Sequence, residues 1–289
     1  MFILNKLFKK RIWKRLFYER LSEPFHLNFL SFFIGMFGSY RKKTDYDLIV
    51  RQQNAFGLFE SADMAISLGK KRVTVIEFGV ASGAGLINIQ KIAENVTKHT
   101  GIEFDIFGFD TGMGMPKPKS FRDHPELYSK GDFPMDYKNL SKLINKNTKL
   151  VIGEIDKTLI EFCEHSFEDS PIGYISIDVD YYSSTLDALK VFNMKSDQYL
   201  PRVIVYLDDI EEPSHNSWCG EIAAINQFSQ SNDLRKIEKY FFLKNHRLFK
   251  NANWIDHIYQ AHILDHPVRN NLNAKNNKVI LDNPYIKSN

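Results

Sequence analysis

Four carboxylates stand at the ends of two apolar runs. Ile172-Gly-Tyr-Ile-Ser-Ile-Asp-Val-Asp180 closes on Asp178 and Asp180, and Val203-Ile-Val-Tyr-Leu207 is followed at once by Asp208 and Asp209. Both runs are short, β-branched and nearly uninterrupted, the pattern of parallel strands covered on both faces. In an open parallel sheet the ligand crevice lies beyond the carboxyl ends of the strands, and residues two apart in an extended chain point the same way. The four acids are therefore expected to converge. Like charges raise one another's pKa, so a divalent cation resolves the crowding, and an all-oxygen donor set suits Mg²⁺, Mn²⁺ or Ca²⁺ rather than zinc. The alternative, that some of these acids cap helix N-termini, accounts less well for two pairs on neighbouring strands.

Upstream, Val73-Thr-Val-Ile-Glu-Phe-Gly-Val-Ala-Ser-Gly-Ala-Gly85 reads as a first strand, a glycine-rich turn and the start of a helix. Gly79, Gly83 and Gly85 allow positive φ and a close approach of a ligand to the main chain, and a helix start offers free N–H groups. Such turns serve NAD, FAD, nucleotides and S-adenosylmethionine, and some are structural only. Glu77, Gly79, Ser82 and Gly83 are the candidate cofactor contacts here. A second strand, Phe104-Asp-Ile-Phe-Gly-Phe-Asp110, ends in Asp110, the position for a carboxylate that accepts hydrogen bonds from a ribose; its alternative role is to cap the turn from Thr111 to Pro116.

The elements that must position these residues follow in order. Tyr46 to Leu68 reads as a helix or helix pair, with Arg51, Gln52, Gln53 and Asn54 more readily taken as a solvated face than as cofactor contacts. Residues 111 to 136, rich in Gly, Pro, Asp, His and Lys, form a long loop of the kind that covers a binding site. Lys149 to Gly153 is the third strand, with Gly153 a further candidate cofactor contact, and a helix follows from about Lys157 to His165. Tyr181 to Val191 and Glu221 to Ser229 read as helices, while Tyr240 to Leu243 and Ile258 to Leu264 are expected to form an antiparallel C-terminal hairpin. The fold class is α/β: a doubly wound, mostly parallel, seven-stranded Rossmann-like sheet.

The chain has 289 residues, 43% of them apolar and 25% charged, which fits a folded soluble protein rather than a disordered one. A net charge of +3 is too small to imply nucleic acid. Cys163 and Cys219 form no CxxC pair, so neither a disulfide framework nor a cysteine zinc site is indicated, and reduced thiols in the cytoplasm fit best.

Residues 1 to 45 differ in character. Basic residues from Lys6 to Arg20 alternate with apolar ones as in a basic amphipathic helix, and a second apolar run, Phe25 to Phe37, falls short of the roughly 20 residues a spanning helix needs. No convincing signal-peptide cleavage site follows. The arm is read either as a membrane-surface helix attracted to anionic lipid at the inner face or, preferred, as a contact with the domain or a sister subunit. The domain itself is placed at 46 to 268, and the Asn- and Lys-rich stretch from 269 to 289 is read as a mobile polar tail.

Together, Glu77-Phe-Gly79-Val-Ala-Ser-Gly83, Gly108-Phe-Asp110, Ile177-Asp-Val-Asp-Tyr-Tyr-Ser-Ser-Thr185 and Tyr206-Leu-Asp-Asp209 resemble class I S-adenosylmethionine-dependent methyltransferases, in particular the metal-dependent macrocin O-methyltransferase-like sugar O-methyltransferases. The resemblance covers roughly residues 70 to 265. It implies that Glu77, Gly79 and Gly83 cradle the methionine portion, that Asp110 holds the ribose, that Asp178, Asp208 and Asp209 ligate Mg²⁺ (or Mn²⁺), and that Asp180 is the general base. It also implies a sugar or glycan hydroxyl as acceptor. His215, in the loop after the second acid pair, is a second candidate base, though an ordinary loop histidine is the preferred reading. The family's usual acidic residue after the ribose aspartate is replaced here by Gly112-Met-Gly, and the basic arm has no counterpart.

Two other functions compete. A nicotinamide-dependent oxidoreductase would use the same sheet, but the turn is Gly79-x-x-x-Gly83 rather than GxGxxG, and Asp110 lies about thirty residues beyond Gly79 instead of about 20. A catalytically inactive membrane-associated binding protein would explain the arm but not the intact acids.

Overall fold

A computed structural model describes residues 15–211 and 216–270. A short helical segment, Arg15–Arg20, leads into helices α1 (Phe25–Phe37), α2 (Tyr40–Asp45) and α3 (Gln52–Ser67). Alternation then begins: β1 (Arg72–Phe78), α4 (Ala84–Thr100), β2 (Glu103–Asp110), α5 (Tyr137–Leu140), β3 (Thr148–Ile152), α6 (Ile155–Cys163), β4 (Ile172–Ile177), α7 (Tyr182–Leu189) and β5 (Tyr199–Leu207). The chain closes with α8 (Gly220–Ser231), β6 (Arg235–Lys239), β7 (Ile258–Ile263) and α9 (Pro267–Asn270).

The seven strands pair in the order β3-β2-β1-β4-β5-β7-β6. The first five of these are mutually parallel, and β7 runs antiparallel to both β5 and β6. This is the expected doubly wound sheet with an antiparallel C-terminal hairpin. One apolar layer packs α3 and α4 on one face, around residues such as Leu58, Leu86 and Tyr174. The other covers the opposite face with α6, α7 and α8, around Phe109, Phe162, Leu189 and Phe228.

The register explains why the acids meet. Phe78 pairs with Phe109 and with Ile177, and Ile177 pairs with Leu207, so β1, β2, β4 and β5 end on one edge. The chain winds outward through β2 and β3 and then returns to place β4 beside β1, which makes the β1/β4 junction the topological switch point where crevices form.

Several expectations need correction. Strand β4 stops at Ile177, so Asp178 and Asp180 lie in the turn beyond it, where Asp180 adopts a left-handed φ of 56°. Period-2 alternation therefore does not aim them. The sixth strand is Arg235–Lys239 rather than Tyr240 to Leu243. As an edge strand it needs only one buried side chain, Ile237, and its charged neighbours hid it from an apolar pattern. Tyr240 instead begins a turn whose Phe241 and Phe242 are exposed. Gln52, Gln53 and Asn54 are buried, not solvated: Gln52 donates to the Thr44 carbonyl, while Asn54 accepts from the Tyr174 hydroxyl at 2.7 Å. Residues 1–14 of the basic arm, His215 and the tail from 271 lie outside the described residues.

Candidate functional site

The glycine turn is shaped first by the protein's own backbone. Gly79 has φ 86°, and a Cβ there would stand 1.7 Å from the Asp178 carbonyl oxygen, so only glycine lets β1 and β4 close up at the switch point. Gly83, at φ 80°, precedes α4 and abuts Leu140. Asp110 ties this turn to the next one: Oδ2 accepts from the N–H groups of Val80 (3.0 Å) and Ala81 (2.8 Å), and Oδ1 accepts from Gly112 N–H (2.7 Å). A carboxylate has about four acceptor positions, so one remains beyond these three bonds.

Beneath the turn, Glu77 is buried with Oε1 in the space a Cβ of Gly85 would need, and Oε2 has no hydrogen-bond partner. Burial first, then the Asp178 charge, pushes its pKa well above the carboxylate range, against the pull of Arg51. Arg51 sits just before α3 in a left-handed conformation, φ 56°, and its charge acts on Asp178 as well.

The acids converge beside this turn. Oxygens of Asp178, Asp180 and Asp209 all lie within 4.8 Å of one another. Burial, then the neighbouring charges of Asp208 and Asp180, raises the Asp178 pKa. Burial, then Asp180, does the same for Asp209, which also shares a hydrogen bond with Asp180. Behind them Glu221, buried in the first turn of α8, accepts from the Asp209 N–H at 3.2 Å, and its pKa is raised by burial and by Asp209. Asp208 is turned aside: it accepts from the Tyr206 hydroxyl. The converging set is thus Asp178, Asp180 and Asp209, with Asp208 next to it.

A cavity of about 590 Å³ joins the two halves. Gly79, Asp110, Asp178, Asp180, Asp208 and Asp209 line it, whereas Glu77, Ser82, Gly83 and Gly153 do not. Ser82 is exposed on the turn, and Gly153 serves the sheet edge, donating its N–H to the Asp110 carbonyl. The loop from 111 to 136 forms one wall through Met115, Tyr128 and Phe133. It is pinned down by Asp123, fully buried, which accepts from Ser183 N–H (2.8 Å), Ser183 Oγ (3.0 Å) and Lys119 N–H (2.7 Å). Adjacent His124 is buried at φ 49° and packs beside Gly220.

Glu221, Asp123, His124 and Arg51 were not singled out as site residues by the sequence. Glu221 carried a faint signal, as an acid at the start of a helix downstream of two others; the remaining three depend on tertiary placement.

No protein-family model and no curated protein matches the sequence. Among solved structures, the chain is similar to CalS11, a calicheamicin methyltransferase, at 19% identity over 76% of this chain and 82% of that one, with a TM-score of 0.47. The apo form of CalS11, described as a TDP-rhamnose 3'-O-methyltransferase, is similar at 18% identity, 76% and 83% coverage and a TM-score of 0.38. TomG, an O-methyltransferase from Streptomyces achromogenes involved in tomaymycin synthesis, in complex with SAM, is similar at 8% identity, 74% and 81% coverage and a TM-score of 0.40.

Proposed function

We propose that this chain is an S-adenosylmethionine-dependent O-methyltransferase assisted by Mg²⁺ (or Mn²⁺), acting on a hydroxyl of a sugar or glycan-type acceptor. One observation carries the reading: the glycine turn with its Asp110 bracket and the Asp178–Asp180–Asp209 group line the same cavity at the switch point of the sheet. The acceptor class rests on the resemblance of the acid motifs to sugar O-methyltransferases.

The residues present fit both groups. Asp110 lines the cavity and keeps one acceptor position beyond its three backbone bonds, which a ribose hydroxyl would fill. Three crowded carboxylates, two of which, Asp178 and Asp209, have pKa values raised by burial and by their neighbours' charges, match a hard, oxygen-preferring cation, which Asp178 and Asp209 would hold with Asp208 alongside. Bound there, the cation would lower the pKa of an acceptor hydroxyl and orient a vicinal diol. S-adenosylmethionine would supply an electrophilic methyl on its sulfonium.

The chain's own residues do the rest. Gly79, Ala81 and Asp110 line the cavity, and their main chain and the remaining acceptor position of Asp110 would hold the cofactor in register. Met115, Tyr128 and Phe133 exclude water from one side. Asp180 takes the acceptor proton, a contribution of about 10²- to 10⁴-fold for a positioned base. Its backbone is left-handed, an uncommon conformation for a residue other than glycine, and its side chain shares a hydrogen bond with Asp209.

The test is methyl transfer from labelled S-adenosylmethionine to a panel of sugars and nucleotide sugars, with Mg²⁺ or with EDTA. Asp180→Asn is expected to lose activity while still binding S-adenosylhomocysteine by calorimetry. Binding of NAD in place of S-adenosylhomocysteine would overturn the reading, and full activity in EDTA would remove the metal from it.

A further inference from the structure

Helix α1 is thirteen residues, FHLNFLSFFIGMF, without a single charge, yet Ser31 is its only buried residue. It touches the protein along a narrow stripe: Ser31 Oγ accepts from the Arg20 guanidinium at 3.4 Å, Asn28 Nδ2 donates to the Arg20 carbonyl at 2.7 Å, and Leu27 and Ile34 are half-buried. The rest faces outward. Phe25, Phe29, Phe32, Phe33, Met36 and Phe37 are exposed by 44% to 83%, and Phe33 meets Phe29 and Phe32 edge-on rather than entering the core. A contiguous apolar face of this kind marks an interaction site.

Charge identifies what covers it. The first 44 residues hold ten lysines and arginines and only two acids, Glu19 and Glu23, whereas the whole chain is just +3, so the remainder is net acidic. Glu23 is internal, accepting from Asn251 N–H at 2.7 Å. Between Glu23 and Asp45 there is no acid, and Lys42 stands exposed beside Phe33 and Phe37. A second copy docking face to face would bring two such basic segments together. An anionic surface complements them. No described helix is long and apolar enough to cross a membrane, which leaves a helix lying in the interface plane.

We propose that α1 docks this protein onto anionic lipid bilayers, with its aromatic face in the headgroup–acyl boundary and Lys42 and Lys43 on lipid phosphates. The full chain is expected to co-sediment with phosphatidylcholine vesicles that contain phosphatidylglycerol, and far less with phosphatidylcholine alone. Binding should weaken as salt shortens the reach of the charges. Phe32→Glu with Met36→Glu, at exposed positions that leave the fold intact by circular dichroism, should lower vesicle affinity at least tenfold. Lys42→Gln with Lys43→Gln keeps the apolar face and should cost about fivefold per charge. Absence of co-sedimentation with anionic vesicles, or unchanged binding by the Phe32/Met36 variant, overturns the proposal. So does a concentration-dependent dimer that this variant abolishes, which would assign the face to a second copy.

Discussion

The Asp178 carbonyl oxygen occupies the space in which a Cβ on Gly79 would have to stand, at 1.7 Å. This contact joins the two halves of the site: the turn after β1 can only approach the turn after β4 because one of its residues has no side chain. The Asp178 N–H reinforces the junction by donating to the Phe78 carbonyl at 2.9 Å.

Gly79→Ala is therefore expected to force the two turns apart. With φ at 86°, backbone strain adds to the overlap, and the loss should exceed about 1 kcal/mol. Urea unfolding measures the stability term, and calorimetry with S-adenosylhomocysteine should show cofactor binding weakened beyond detection. A stable variant that binds normally would show that the junction relaxes freely.

Asp209→Asn removes one of three crowded charges. In the metal-free protein above about pH 9, where this carboxyl too is ionised, its melting temperature should equal or exceed that of the parent, because like-charge repulsion is relieved. Added Mg²⁺ should stabilise the parent and leave the variant unmoved, as binding to the native state raises apparent stability by mass action. Equal Mg²⁺ responses would detach Asp209 from cation binding.

The acids also set a pH dependence. Asp178, Asp209, Glu77 and Glu221 all have folded-state pKa values raised by burial and by one another. A raised folded value means that the native state holds its protons more tightly than the unfolded chain does. This contribution is complete below about pH 4, where free carboxylates titrate, and is lost as pH climbs through the raised values. Metal-free protein should accordingly lose stability from about pH 4 up through neutrality, with Mg²⁺ restoring it most at the alkaline end. Thermal melts across pH, with and without Mg²⁺, check this; a Mg²⁺ effect that shrinks with rising pH would contradict it.

Asp123→Ala should loosen the 111–136 loop. It strips the N–H and hydroxyl of Ser183 of their acceptor at the start of α7 and frees Lys119. A lost cap costs about 0.5–2 kcal/mol, so cleavage within the loop in limited proteolysis should speed up. If the loop walls the acceptor site, KM for the acceptor should rise more than kcat falls.

Much of the layout was legible because apolar, β-branched runs and the residues at their ends are local signals. The strands that carry Glu77 and Asp110, and the two that lead into the acid pairs, fall where those runs predict. What was hidden depends on contacts between distant parts of the chain. Nothing in the run Arg51 to Asn54 announces that Thr44 and Tyr174 will satisfy its amides in the interior. Nor does the sequence show that Asp180, at a positive φ, rather than Asp208, has the oxygen that falls with those of Asp178 and Asp209. Glu221 is brought behind Asp209 only by the docking of α8.

The two outermost strands, β3 and β6, are five residues each, and β6 reads Arg-Lys-Ile-Glu-Lys. Open sheet margins recruit other chains through their unpaired amides unless they are short or charged. Here one margin is brief and the other is both brief and ionic. Neighbouring molecules thus find no template for strand addition, and a chain built around a hydrophobic parallel sheet can reach high local concentration, as on a surface, without polymerising along its backbone.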